Sequence, residues 1–153
     1  MKNEKIDLTK VRYLGDLILI ALEDLNQTRL DPRYKINMGE WHTRYDKICH
    51  VCLAGCVLKK HIPLKESNGI NGLNLDLQNI AYALNDIRNG NLVNAFNVFY
   101  DLSFHTNPIV AKLNGIRVTY SSAFPENKRE QDIWIKAVSN IALQILKIEL
   151  EYE

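Results

Sequence analysis

Apolar residues recur along this chain mostly at helical spacing. Val11, Leu14, Leu17, Ile18, Ala21, Leu22 and Leu25 fall on one helix face. Asp7 or Thr9 stands where an N-cap would, and the pattern fades at residues 26–28. "LDPRYKINMGEW", residues 30–41, reads as a loop, because a residue preceding proline is pushed away from helix. A second helix is expected from Asp46 or Lys47 to about His61, ended by Pro63, which has no backbone donor. "KESNGINGLN", residues 65–74, is a polar, glycine-bearing loop.

Asn74 or Asp76 opens a third helix, with Leu77, Ile80, Ala81, Leu84 and Ile87 on one side. Asn89-Gly90 closes it, since glycine accepts the left-handed conformation common at helix ends. Asn91 can cap a fourth helix carrying Leu92, Ala95, Phe96 and Phe99, so that the two form a tight helical hairpin. The stretch after Pro108 is ambiguous. Asn114-Gly115 suits a type I′ turn, and Ile116, Val118 and Tyr120 alternate with Arg117 and Thr119. A small β-hairpin over residues 109–120 is the expectation; its competitor is a short helix from Pro108 to Gly115 followed by extended chain.

The last element, residues 126–151, carries a long stripe of Trp134, Val138, Ile141, Ile145 and Ile148, widened by Ile133, Ile135, Ala137, Ala142 and Leu146. A helix this apolar needs several neighbours or a second copy of itself. Glu149, Glu151 and Glu153 place negative charge at its C-terminus, against the helix dipole, so this end is expected to fray. The sum is a mainly α single domain, residues 1–153, of about five helices with room for one small hairpin.

Composition narrows the function classes. The 153 residues are 46% apolar and 24% charged, as in an ordinary globular domain able to bury a core. No apolar run approaches a bilayer span, and the charged start "MKNEKIDLTK" lacks a secretory core. A cytoplasmic protein with no membrane partner is therefore expected. The net charge of +1 is too neutral for a typical duplex DNA binder. It hides a basic block: residues 28–65 hold eight Lys and Arg against three acids, a local +5 suited to a phosphate-bearing ligand or an acidic protein face. A solvated basic rim is the plainer reading.

All three cysteines lie in "EWHTRYDKICHVCLAGC", residues 40–56, an odd count that argues against a disulfide framework. On a helix, Cys49, Cys52 and Cys56 would share one face at i, i+3 and i+7. Three readings compete. The thiols are small core hydrophobes; or Cys49 and Cys52 form a zinc pair completed by His42, His61, Cys56 or His105; or the Cys-x2-Cys is a redox pair at a helix start. The redox reading calls for a preceding strand, which is not expected here.

Gly39, Glu40, Trp41 and His42, followed by Cys49, Val51, Cys52, Leu53, Ala54 and Gly55, resemble a motif of small bacteriophage and prophage proteins. "ALNDIRNGNLVNAF", residues 83–96, is similar to a second element of such proteins. Cys56 stands where that motif would have a small residue such as alanine. The resemblance covers about a quarter of the chain and implies an origin, not an activity. Abundant asparagine and isoleucine, sixteen of each, fit an AT-rich gene of that kind.

Neither a Walker loop, nor Gly-x-Gly-x-x-Gly, nor His-Glu-x-x-His is present. Ser103 and His105 read as turn and capping residues. A binding patch is easier to assemble: Arg33, Tyr34, Trp41, His42, Arg44 and Tyr45 join guanidinium forks that chelate phosphate to rings that stack on bases. Against it, Trp41 and Tyr45 could cover the core while Arg44 meets Asp46 or Glu40. The functional expectation is a non-enzymatic, phage-type binding protein that sequesters a host protein or a small phosphorylated or nucleotide ligand in the host cytoplasm. It needs no cofactor. One alternative is a zinc domain on Cys49, Cys52 and His42. Another is an assembly or virion-accessory oligomer formed through the 126–151 helix.

Overall fold

A computed structural model describes residues 7–61, 73–102 and 108–152. Pro63, the polar stretch after it, and the Ser103–His105 pair lie outside these residues, as do the side chains of Lys60 and His61. The protein is a mainly helical domain with a small three-stranded sheet. No described helix is long and apolar enough to cross a membrane.

A short 3-10 turn, Leu8–Lys10, is capped by Asp7. It precedes α1, Leu14–Arg29, which buries Leu14, Leu17, Ile18, Ala21, Leu22 and Leu25 as the periodicity predicts. The expected capping by Asp7 or Thr9 is corrected: Asp7 caps the 3-10 turn, and α1 takes its N-terminal acceptor from elsewhere in the chain.

The segment read as loop and then helix is instead the sheet. β1, Tyr34–Ile36, pairs in parallel with β3, Ile48–Val51, and β2, His42–Tyr45, pairs antiparallel with β3, giving the order β1-β3-β2. Asp46 turns β2 into β3 at φ 57°, a left-handed conformation that aspartate tolerates. Cys49 and Val51 point inward while Ile48 and His50 do not, a period of two where a helix was expected. The helix starts only at Leu53: α2 is Leu53–His61. Its first turns, with Leu53, Ala54, Cys56, Val57 and Leu58 inaccessible to solvent, lie between α1 and the next helix as the central rod of the core.

α3, Leu75–Arg88, and α4, Leu92–Phe99, form the expected hairpin. Asn74 and Asn91 cap them, and Gly90 between them has φ 79°. The hairpin expected at 109–120 is corrected to its competitor. α5, Pro108–Asn114, begins on proline, whose fixed φ suits a first helical position. Ile109 and Leu113, four apart, are its buried pair. Gly115 does not take positive φ, so the type I′ turn is missing, and a lone two-stranded hairpin would have little to stabilise it.

α6, Lys128–Glu151, is capped by Asn127 and packs along α1. Its buried stripe is Trp134, Val138, Ile141, Ala142 and Ile145, with one surprise, Glu149. The two helices cross so closely at Gly15 that a Cβ there would stand 2.6 Å from the Ala142 carbonyl oxygen. The expected fraying is corrected. Glu149 Oε2 and Oε1 accept the amides of Leu14 at 2.7 Å and Gly15 at 2.9 Å, and Tyr100 also donates to Oε2. The charge opposed to its own helix thus caps the N-terminus of another, where a carboxylate is favoured.

Candidate functional site

The sheet disperses the patch expected from sequence. Arg33 is exposed, and its Nε and Nη2 grip the Asp31 carboxylate at 3.0 and 2.7 Å. Those bonds hold the Asp31 carboxyl down to about 2, so the phosphate-chelating fork already has an acid in it. The Tyr34 ring lies 4.5 Å from the Lys59 ammonium. Trp41 is half-buried, and its carbonyl presses on Gly55. His42 and Arg44 pair with Val51 and Cys49, so they share one side of the sheet, whereas Tyr45 projects from the other. There the Tyr45 hydroxyl donates to Glu40 at 2.7 Å and its ring meets His50 edge-on. Glu40 also accepts from Thr43 at 3.0 Å, and these bonds hold its carboxyl below the usual range.

The cysteines are separated too. Cys49 belongs to β3, Cys52 precedes α2, and Cys56 lies within α2. All three are free and buried. Among the described residues no three of His, Cys, Asp and Glu gather as ligands for an ion. A strand does precede Cys52, which corrects one sequence expectation. Burial nevertheless pushes the Cys52 and Cys56 thiols up, the reverse of an activated thiolate. Cys52 Sγ accepts the Gly55 amide at 3.5 Å and faces Asn85 Oδ1 at 3.8 Å, a packed position.

What the fold does build is a groove between β1 and residues 122–126. One end, about 200 Å³, lies among Arg29, Tyr34, Phe124 and Pro125. The other, about 290 Å³, lies among Asn37, Gly39, Arg88 and Ser122. Lys35, Ile36, Phe124 and Glu126 line both, so the two adjoin as neighbouring ends of one trough, with the Lys35–Glu126 pair at their shared boundary.

Its walls are braced from behind. On the strand side, Asn37 donates its amide to Val51 at 2.8 Å, and its side chain bonds the Gly39 amide at 3.0 Å and the His50 ring at 3.3 Å. On the far side, Trp134 Nε1 donates to the Ser121 carbonyl at 2.8 Å while its ring meets Tyr120 and Phe124 edge-on. Tyr120 in turn donates to the Ile87 carbonyl, and Gln131 Nε2 donates to the Pro125 carbonyl at 2.9 Å. A site held this way loses little freedom when it binds.

The cations around the trough differ in what they hold. Arg29 is committed: Nη2 meets Asp132 at 2.5 Å and Nε meets Asn26 at 2.8 Å. Lys35 is exposed, 3.7 Å from the still more exposed Glu126. Arg88, at the end of α3, is half-buried, and its Nε is shut off from water with no hydrogen-bond partner among the described residues. A buried donor without an acceptor costs about 1–3 kcal/mol, and Arg88 also lines the second end of the trough. Sequence reasoning passed over Arg88 because one cation in a last helical turn is what any helix carries.

No family model, curated protein or solved structure matches this chain. The reading of the site therefore rests on its geometry.

Proposed function

We propose that this chain is a non-enzymatic binding protein for a small phosphorylated molecule, held in the trough with Arg88 and Lys35 toward the phosphate. The observation that carries this reading is the place of Arg88 on the lining of a braced groove, with its Nε lacking a hydrogen-bond partner among the described residues. A guanidinium in that state gains charge-assisted bonds to phosphate with little reorganisation. In keeping with the resemblance to phage proteins, the role would be sequestration of a host metabolite or signal during infection, in the host cytoplasm.

The test is calorimetric titration of the purified protein with inorganic phosphate and simple phosphate monoesters, beside native mass spectrometry of fresh preparations. Arg88→Ala should weaken binding roughly tenfold to a hundredfold, the equivalent of one charged hydrogen bond. Absence of binding in the parent, or unchanged affinity in the variant, would overturn the proposal.

A second reading, an oligomer through α6, draws on Ile133, Leu143 and Leu150, each at least half exposed on that helix. Light scattering of the parent and of Leu143→Glu tests it, and a monomeric parent removes it.

A further inference from the structure

We infer that the phosphorylated ligand of this trough is a nucleotide, with its base against the edge of β1. The inference rests on the phosphate-binding reading above and adds the chemistry of the other end. In the parallel β1–β3 ladder the Asn37 amide bonds the Val51 carbonyl, and the Arg33 carbonyl accepts the Cys49 amide. By the alternation of a strand, the backbone groups of Lys35 face β3 as well, and those of Tyr34 and Ile36 face away. The Tyr34 amide is used in the turn to Asp31. Among the described residues the Tyr34 carbonyl and the Ile36 amide and carbonyl remain, an acceptor, donor and acceptor along the border of the groove.

Such a row is what the edge of a heterocyclic base requires, since a base offers donors and acceptors in one plane. Phe124 and Pro125 wall the same end, and Phe124 is held 5.1 Å from Trp134 at 82°. A base stacked on Phe124 with its edge on Ile36 directs its sugar phosphate along the shared middle of the trough toward Arg88. A bare phosphate or a phosphosugar would leave the strand edge and the Phe124 end unused. An extended acidic peptide could also pair with β1, but the strand has three residues and Phe124 to Glu126 close the space opposite it. A small planar ligand fits that enclosure better.

The experiment is titration of the full chain with inorganic phosphate, ribose 5-phosphate, AMP and UMP, with amide exchange followed by NMR. AMP or UMP should bind roughly tenfold to a hundredfold more tightly than ribose 5-phosphate, as base stacking implies. Either should slow exchange at the Ile36 amide, where ribose 5-phosphate should not. Phe124→Ala should erase the preference for nucleotide over ribose 5-phosphate, so that the two bind equally, whatever the variant does to the shared phosphate affinity. Should that variant misfold, Phe124→Leu and the Ile36 exchange in the parent carry the same test. Ribose 5-phosphate binding as tightly as both nucleotides would sink this inference and leave the phosphate reading intact. Failure of every phosphate compound would remove both. Protection of Ile36 by an acidic peptide, and not by nucleotide, would replace the ligand assigned here.

Discussion

Glu149 offers the sharpest test of how this fold is held, because two views of it predict opposite signs. Taken as a surface acid in the last turn of α6, it opposes the helix dipole, and replacing it by alanine should leave stability unchanged or raise it slightly. Taken as the structure places it, 4% exposed with bonds from Leu14, Gly15 and Tyr100, it is the N-cap of α1 delivered from the far end of the chain. Glu149→Ala then strands two buried amides and a half-buried hydroxyl. Each stranded amide costs about 1–3 kcal/mol, offset in part by no longer burying a carboxylate, so a net loss of about 3 kcal/mol is expected. At this chain length that lowers the melting temperature by about 10 °C.

Urea unfolding followed by circular dichroism measures the loss, with an unchanged m-value showing that the native surface is intact. Tyr100→Phe should cost about 1 kcal/mol alone and almost nothing once Glu149 is gone, the signature of a shared network. The pH dependence adds a second handle. Burial pushes the Glu149 carboxyl above its ordinary value, against the pull of its three donors. The folded state therefore holds this proton more tightly than the unfolded chain does. Its contribution is complete below the unfolded value of 4.5 and is lost as pH rises through the folded value. The parent should gain on Glu149→Gln as pH falls from neutral toward 4.5. A Glu149→Ala protein as stable as the parent, or strict additivity with Tyr100→Phe, would refute the capping account.

Other outcomes follow from the same packing. Gly15→Ala would push a Cβ to 2.6 Å from Leu146 Cβ as well as from the Ala142 carbonyl, and should cost about 1–3 kcal/mol by thermal melting; a neutral effect would mean that α1 and α6 are not in close contact. In the native protein, Cys52 and Cys56 should resist a thiol reagent until denaturant is added, since both are almost inaccessible; rapid native labelling of Cys52 would restore the redox reading. Trp134→Phe removes the bond to the Ser121 carbonyl, and should cost about 1 kcal/mol and weaken phosphate-ester binding without touching the ligand. Equal affinity in parent and variant would show that this wall does not shape the groove.

The long elements were legible because their information is local. The faces of α1, α3, α4 and α6 can be read from spacings of three and four, and Asn74, Gly90 and Asn91 announce their helix ends by side-chain chemistry alone. The sheet was not legible for the opposite reason. β1 is three residues and β3 four, too short for a period of two to stand out. They are stabilised by pairing across the chain, Tyr34 with Cys49 and Ile36 with Val51. The cysteine spacing also satisfied a helix, and only the turn at Asp46 decides between them. Glu149 shows the same limit, since its meaning comes from amides 134 and 135 residues away.

Charge behaved in a similar way, and this bears on function. The basic block at residues 28–65 suggested where an anion would go, yet Arg33 is answered by Asp31, Arg29 by Asp132, and Lys59 lies over a tyrosine ring. What attracts a ligand is a charge left without a partner where water is scarce, not a count along the sequence. Arg88, half-buried with its Nε unpartnered among the described residues, comes nearest to that condition and lies outside the block. Its setting needs the end of α3, the edge of β1 and a segment anchored by Trp134 to meet, three stretches that no window of sequence contains together. The site proposed above therefore follows the one cation whose buried donor lacks a partner among the described residues, rather than the cluster of cations.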